Sequence, residues 1–440
     1  MAIMWSRIHA ELGLSPRPLT YDMVKQAVAQ RVRETEDLDW KRDLAWKQGS
    51  SEFKEKKKRE FAKDVAAMAN TRGGLIVFGV REENEQAVEM LGVLNGEPDR
   101  QAMRSFVNTY LRPLVDSLLI EALDGEDDVP GLIAVLVPPS PDAPHVVGER
   151  NEMGVPFRSG SDTQWMSEWQ LERAYRDRFS RRSDDRAALI ALIDGLVPEL
   201  DFAKGVWVAV SARPVAPLPL LGGRPLCDQA TATMRSALRL ASEVFGPDQG
   251  RRSVLKELFV GDAMNNPRNG LRRWVIRSNH YSTDAEERVD SALVEFHHDG
   301  SVALAVAPAV FMGRAEIARK SQTAMQVPVR IVDAVVVEAV ALAATHVRGL
   351  GGVGTILVRA EFLRDEAAGD APLEAIDNQL VAGLSSFYHP VVGSRAVRNP
   401  VAVEAAFSAE DDVAALRGVA RQLADDFIHQ FGASGSTIPG

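Results

Sequence analysis

The stretch Phe61-Ala-Lys-Asp-Val-Ala-Ala-Met-Ala-Asn70-Thr-Arg-Gly73-Gly74-Leu75-Ile-Val-Phe-Gly-Val80 decides the fold. Phe61, Val65, Met68 and Ala69 fall at i, i+4, i+7 and i+8, one apolar stripe below a run of charge from Lys54 to Glu60, and this spacing predicts an amphipathic helix over 54–70. The helix stops at Asn70-Thr71-Arg72-Gly73-Gly74, and the apolar run Leu75–Val80 predicts a buried strand.

Upstream, Met23, Val24, Ala27, Val28 and Val32 recur at helical spacing behind the capping candidates Thr20 and Asp22, giving a leading helical segment over 1–33. Leu38 and Trp40 then alternate with charges, the period of a half-buried strand that puts Asp39 and Lys41 on one face. Downstream, a helix is expected near Arg100–Leu111 and a strand at Leu132–Val137, ended by Pro138-Pro139-Ser140-Pro141. A short strand near Val155–Arg158 turns at Ser159-Gly160-Ser161 into a helix from about Met166 to Phe179.

Ser180–Arg186 is charged and lacks apolar periodicity, so a domain boundary is expected there: 34–180 forms one domain and 181–431 another, with 432–440 a loose tail. In the second part, strands are expected at Val206–Val210, Trp274–Ser278, Leu293–His297, Val302–Val306 and Thr355–Glu361. Helices are expected at Gln229–Val244, Ile331–Val347 and Glu410–Phe431. Asp299-Gly300 is a hairpin signal between two of these strands. The fold class is α+β, an α/β domain followed by a separate mixed domain.

Composition bounds the function. With 440 residues, 45% hydrophobic and 25% charged, the chain has the make-up of an ordinary globular protein of two or three domains. The net charge of −10 excludes a bulk polycation, so any nucleic-acid contact must come from a local patch. The single Cys227 excludes an internal disulfide and suits a reducing cytoplasm. No export signal or membrane-spanning segment is visible, and a cytoplasmic location is expected.

Four pieces of the chain resemble the Schlafen AlbA-like family over 34–177: Glu34-Thr-Glu-Asp-Leu-Asp-Trp-Lys41, Phe61–Gly74, Leu75–Val80 and Pro156-Phe-Arg-Ser-Gly-Ser161. The resemblance, to a module found in many bacterial proteins, implies an α/β domain that binds DNA or RNA and, in some members, cuts RNA with a metal ion. For the cutting members it implies acids at Glu34 and Asp39 and a third after the central strand, Glu82 or Glu83. The chain departs from the pattern at Asp39-Trp40, where Glu-Phe is common, and at Arg81, where an aspartate often stands. The remainder resembles no family.

Glu34, Asp39 and Glu82 are candidate catalytic and metal ligands, because Mg²⁺ or Mn²⁺ needs clustered hard oxygen donors to polarise a phosphodiester. The alternative is a solvated charge network with Lys41, Arg42 and Arg81. Lys41 either neutralises a phosphate or pairs with Asp39. Lys54, Lys57, Lys58 and Arg59, with Lys56, form the one dense basic run at a helix start, either a phosphate footprint or a solvated face interleaved with Glu52, Glu55 and Glu60. Asn70 either donates to a ligand or suits the helix end. Gly73 and Gly74 either admit a phosphate or cap the helix. Arg158 is either a two-pronged phosphate clamp or an ion-pair partner. Residues 31–180 carry 21 basic against 28 acidic residues, net −7, so binding should be salt-sensitive or directed by a partner.

Three classes remain: a nucleic-acid-binding module with an accessory domain, a metal-dependent endonuclease, and a protein-interaction or regulatory protein that has lost nucleic-acid binding, with a protein partner or a second copy as its ligand. Gly349-Leu-Gly-Gly-Val-Gly354 follows a helix and precedes a strand, the wrong order for a dinucleotide site.

Overall fold

In the computed structural model, the described residues are 5–14, 17–115, 118–125, 130–149, 152–215, 218, 227–246, 253–258, 267–277, 292–311, 325–365, 371–379 and 387–439. They divide into two compact units, Met1–Asp184 with Gly351–Thr355, and Asp185–Leu350 with Ile356–Gly440.

The N-terminal unit contains helices α1 (Arg7–Glu11), α2 (Tyr21–Ala29), α3 (Ser51–Ala69) and α4 (Glu97–Tyr110), and the first part of α5 (Glu168–Asp194). Its strands are β1 (Leu38–Lys41), β2 (Gly74–Phe78), β3 (Val80–Glu83), β4 (Gln86–Met90), β5 (Leu111–Arg112), β6 (Leu119–Leu123), β7 (Leu132–Val137), β8 (Val146–Glu149), β9 (Glu152–Gly154), β10 (Pro156–Ser159) and β11 (Asp162–Trp165). The central sheet runs β1-β2-β7-β6, with β1 parallel to β2 and the other pairs antiparallel.

Alternation along these strands separates two apolar layers. Ile76, Phe78, Ile133, Val135 and Val137 pack with Phe61, Val65 and Met68 of α3 and Met103 and Val107 of α4. Leu38, Trp40, Leu75, Val77, Leu132 and Ala134 face Ile8 of α1 and Met23, Val24 and Ala27 of α2. Helices therefore cover both faces, and β1, expected as half-buried, is buried at Leu38, Asp39 and Trp40 alike. Asp39 and Lys41 do share a face, the one toward α3. The apolar run that predicts one strand is split by Gly79, at φ +100°, into β2 and β3.

Two expectations are corrected here. Ser159-Gly160-Ser161 leads into β11, which pairs antiparallel with β10, before α5 begins. The division between the units falls at Asp184/Asp185, inside the stretch where a boundary is expected, but Ser180–Arg186 is continuous helix within the 27-residue α5 and not a linker; its missing apolar stripe reflects exposure.

The C-terminal unit is built on a sheet of seven strands in the order β13-β14-β15-β16-β12-β18-β21, with every pair from β13 to β18 antiparallel. These are β12 (Trp207–Pro214), β13 (Arg268–Gly270), β14 (Arg273–Arg277), β15 (Ala292–His297), β16 (Val302–Val306), β18 (Thr355–Leu363) and β21 (Val403–Ser408). A second sheet holds β17 (Met325–Pro328), β19 (Leu373–Gln379) and β20 (Phe387–Pro390). Helices α6 (Cys227–Phe245), α7 (Val254–Glu257), α8 (Val329–Gly349) and α9 (Val413–His429) complete the unit. Helix α8 packs on the sheet and against α6 and α9, which is why it is apolar nearly all round. Its two buried acids both have donors: Glu338 accepts from Leu255 N–H at 2.8 Å, and Asp333 Oδ2 accepts from the amide and hydroxyl of Thr437 at 2.8 and 2.7 Å.

Residues 432–439, expected as a loose tail, are packed. Ile438 and Ala433 are buried and Thr437 is tied to Asp333 of α8. Residue 440 and Ser278 lie outside the described residues, as do 247–250 of the Gly/Pro loop that the sequence predicts over Phe245–Gly250.

Candidate nucleic-acid interface

The edge strand β1 and two hairpin tips meet on the α3 side of the central sheet. Asp39 projects from β1 and is buried at 4% exposure. Its Oδ2 lies 2.7 Å from Lys41 Nζ and 3.2 Å from Arg158 Nη2. Lys41 also reaches Asp64 of α3 at 3.4 Å. Burial draws the Lys41 ammonium down, but the charges of Asp39 and Asp64 outweigh it and hold the ammonium above its ordinary value.

Arg158 arrives on β10. Thr71 Oγ1 accepts its backbone N–H at 2.9 Å, and Arg158 Nη1 donates to Ser161 O at 2.7 Å, so the hairpin turn holds the guanidinium it carries. Arg158 Nε and Nη2 are buried and donate no hydrogen bond. The turn residue Gly160 has no atom within 4 Å of where a Cβ would stand, so the tip is open to an approaching backbone.

The β3–β4 hairpin closes the other side. Glu34 N donates to Glu85 O at 2.7 Å, and Ser161 Oγ donates to Glu85 Oε1 at 2.6 Å. Glu34 Oε1 accepts Trp40 N–H at 3.0 Å. Burial, reinforced by the negative charges of Asp39 and Glu82, pushes the Glu34 carboxyl up to about 7, against the pull of Trp40 N–H and Lys41.

The three acids expected as metal ligands do not form a cation cage. Asp39 is held by two cations, Glu34 by Trp40 N–H, and Glu82 Oε2 accepts Glu85 N–H at 3.0 Å. Among the described residues no three His, Cys, Asp or Glu side chains are gathered around a point where a metal ion would sit. Mg²⁺ or Mn²⁺ therefore does not fit this arrangement.

The remaining candidates separate. Asn70 is occupied by backbone: its Nδ2 donates to His145 O and Pro156 O at 3.0 and 2.8 Å, and its Oδ1 accepts His145 N–H at 2.6 Å. Both amide hydrogens are used, so Asn70 fixes β10 to the end of α3 and has no donor left for a ligand. Gly73, at φ +76°, sits where a Cβ would lie 2.5 Å from Val137 O, and at Gly74 it would lie 2.9 Å from Asp37 O. The glycine pair thus serves the passage from α3 into β2. In the basic run, Lys57 pairs with Glu60 at 2.6 Å and Lys58 with Glu55 at 2.9 Å, both within α3. Arg59 is half-buried, and Lys54 and Lys56 form no ion pair among the described residues.

Sequence reasoning missed Asp64 and Glu85. Asp64 had a signal: it is an acid on the buried face of α3, between Phe61 and Val65.

An α+β unit with a buried ionic centre at a sheet edge, framed by two hairpin tips, is the class of protein that this geometry defines. Residues 34–167 match the model of the family described as Schlafen, AlbA_2, and the N-terminal unit carries a domain of that family. Two solved structures are similar to parts of the chain. The DIP2311 protein from Corynebacterium diphtheriae is 18% identical over 34% of this chain and 31% of that one, with a TM-score of 0.24, so the chain spans about a third of its length. The N-terminal domain of a RecG-related protein from Nitrosomonas europaea is 18% identical over 32% of this chain and 93% of that one, with a TM-score of 0.22. At such scores neither likeness bears on function. No curated protein matches the chain. Among the described residues no helix is long and apolar enough to cross a membrane.

Proposed function

We propose that the N-terminal unit binds nucleic acid through the phosphate backbone at the β1–β10 edge, with the C-terminal unit an accessory domain. The observation that carries this reading is Arg158: a buried guanidinium whose Nε donates no hydrogen bond and whose Nη2 meets Asp39 alone, beside the partly exposed Lys41. A buried donor without an acceptor is costly, and a phosphate oxygen reaching Nε would satisfy it. Arg72, 79% exposed by its side chain and only 3.1 Å from Glu36, extends the cationic surface, as do Lys54 and Lys56. Membership of the AlbA_2 family supports the same partner class.

The reading is tested with labelled single- and double-stranded RNA and DNA over a salt titration, comparing wild type with Arg158→Gln and Lys41→Met. Salt-sensitive complexes weakened in both variants support it; equal affinities in all three proteins overturn it. Running products on a gel with Mn²⁺ reads cutting in the same experiment, a reaction that would require Asp39 to exchange Lys41 and Arg158 for the ion.

A further inference from the structure

On the β10–β11 hairpin that carries Arg158, and along α5 after it, stand aromatic side chains that neither the core nor the charge network uses. Trp165 at the end of β11 and Trp169 in the first turn of α5 are 53% and 60% exposed, and Phe179 farther along α5 is 65% exposed. Large aromatics this open on a globular surface call for an explanation. Trp165 is nevertheless fixed: the site of a Cβ on Gly154 lies 2.7 Å from its ring, so one part of the indole rests on the β9 backbone.

The register of the β10–β11 hairpin links the aromatics to the phosphate site. Arg158 is opposite Thr163, and Pro156 is opposite Trp165. Cross-strand partners share a face, and residues two apart return to it, so Arg158 and Trp165 lie on one side of the ribbon, displaced by about 7 Å along it. Trp169 is four positions after Trp165, which bounds their Cα separation at about 14 Å. Beyond them, Arg173 and Arg176 have side chains 74% and 73% exposed; their partners Asp177 and Glu172 are on the same helix, and pairs this open hold their charges weakly.

We infer that this surface takes a single strand: unpaired bases stack on Trp165 and Trp169 while the backbone runs from Arg158 and Lys41 toward Arg173 and Arg176. The inference rests on the phosphate reading above and adds the class of nucleic acid. A flat indole offers every base a π-face, and such platforms combined with arginines are how proteins hold single strands with little sequence preference. In a duplex the bases are already stacked on one another, and the indoles gain nothing from them. The charge pattern favours this occupant over an apolar protein face, because arginines alternate with the aromatics along α5.

The test uses the full chain with three probes: an oligothymidylate, a duplex of the same length, and an abasic oligomer of the same length. Wild type is expected to bind the oligothymidylate more tightly than either of the others, with quenching of tryptophan fluorescence. Trp169→Leu, on an exposed helix face that it does not hold together, and Trp165→Leu should each weaken oligothymidylate binding about 5- to 100-fold and leave the abasic oligomer unchanged. Equal binding of abasic and base-bearing strands, or no effect of either variant while Arg158→Gln still weakens the complex, overturns the stacking surface and leaves the phosphate reading standing. Failure of every probe to bind overturns the parent reading. A Trp169→Leu variant that changes only the oligomeric state in sedimentation assigns the patch to a second copy of the chain and overturns the single-strand inference.

Discussion

Replacing Glu34 by glutamine should stabilise the N-terminal unit, and only above mildly acidic pH. Glu34 is partly buried next to Asp39 and Glu82, and its carboxyl is pushed from the ordinary 4.5 up to about 7. Between those values the folded unit holds a proton that the unfolded chain has released, so stability is greatest below about 4.5 and declines as pH rises toward 7. Each tenfold difference in proton affinity is worth about 1.4 kcal/mol, which would give about 3 kcal/mol if transmitted in full. Glu34 retains some exposure, and solvent screening reduces the expected loss to about 1–2 kcal/mol. In Glu34→Gln the side-chain amide oxygen can still accept Trp40 N–H, and the group stays neutral at every pH. The variant should therefore match wild type near pH 5 and exceed it by about 1–2 kcal/mol near pH 8. A chain of two compact units is not described by a single global midpoint. Hydrogen exchange on peptides covering 34–41 and 74–80, corrected for the intrinsic rate at each pH, reads the opening of this sheet alone. A difference between variant and wild type that does not change from pH 5 to pH 8 would refute the argument.

Truncation after Phe431 removes the burial of Ile438 and two donors to Asp333, and should lower the melting transition of the C-terminal unit by on the order of 10 °C, from about 3–5 kcal/mol of lost stability. Gly73→Ala places a Cβ 2.5 Å from Val137 O at a positive φ, and should cost about 2–4 kcal/mol by denaturant unfolding; an unchanged midpoint would contradict the tight approach of α3 to β7. Asn70→Ala strands His145 N–H and two carbonyls, and should cost about 2–4 kcal/mol while leaving nucleic-acid affinity unaltered under conditions where the variant is folded, a pairing that separates anchoring from ligand contact.

The physical origin of each element explains how far the sequence could be read. β7 was legible to the residue because Leu132–Val137 is buried on both faces, and a continuous apolar run has few other uses. Helix α3 was legible from its stripe, and α8 from its nearly continuous apolar content. Helix α5 was not legible through Ser180–Arg186, because an exposed helix carries no stripe, and its charges then read like those of a linker. β11 was hidden because Asp162-Thr-Gln-Trp165 is exposed, so no buried face marks it as a strand. At the site, the pairing of Asp39 with Lys41 followed from their two-residue spacing on a strand. The second cation did not: Arg158 is 119 positions away, brought there by a hairpin anchored through Thr71 and Asn70, and no local pattern records that contact. The tail looked loose because Gly432-Ala-Ser-Gly-Ser-Thr-Ile has no period. Its order comes from one buried isoleucine and one buried aspartate on α8.

The most direct test of the central claim is the salt dependence of oligonucleotide binding, followed by fluorescence anisotropy, for wild type and Arg158→Gln side by side. Phosphate contact by Arg158 predicts salt-sensitive binding by wild type, weakened about tenfold or more in the variant, with the slope of log K against log salt smaller by about 1. Equal affinities and equal slopes, or no binding by wild type at about 50 mM salt, where backbone contacts are strongest, would contradict it.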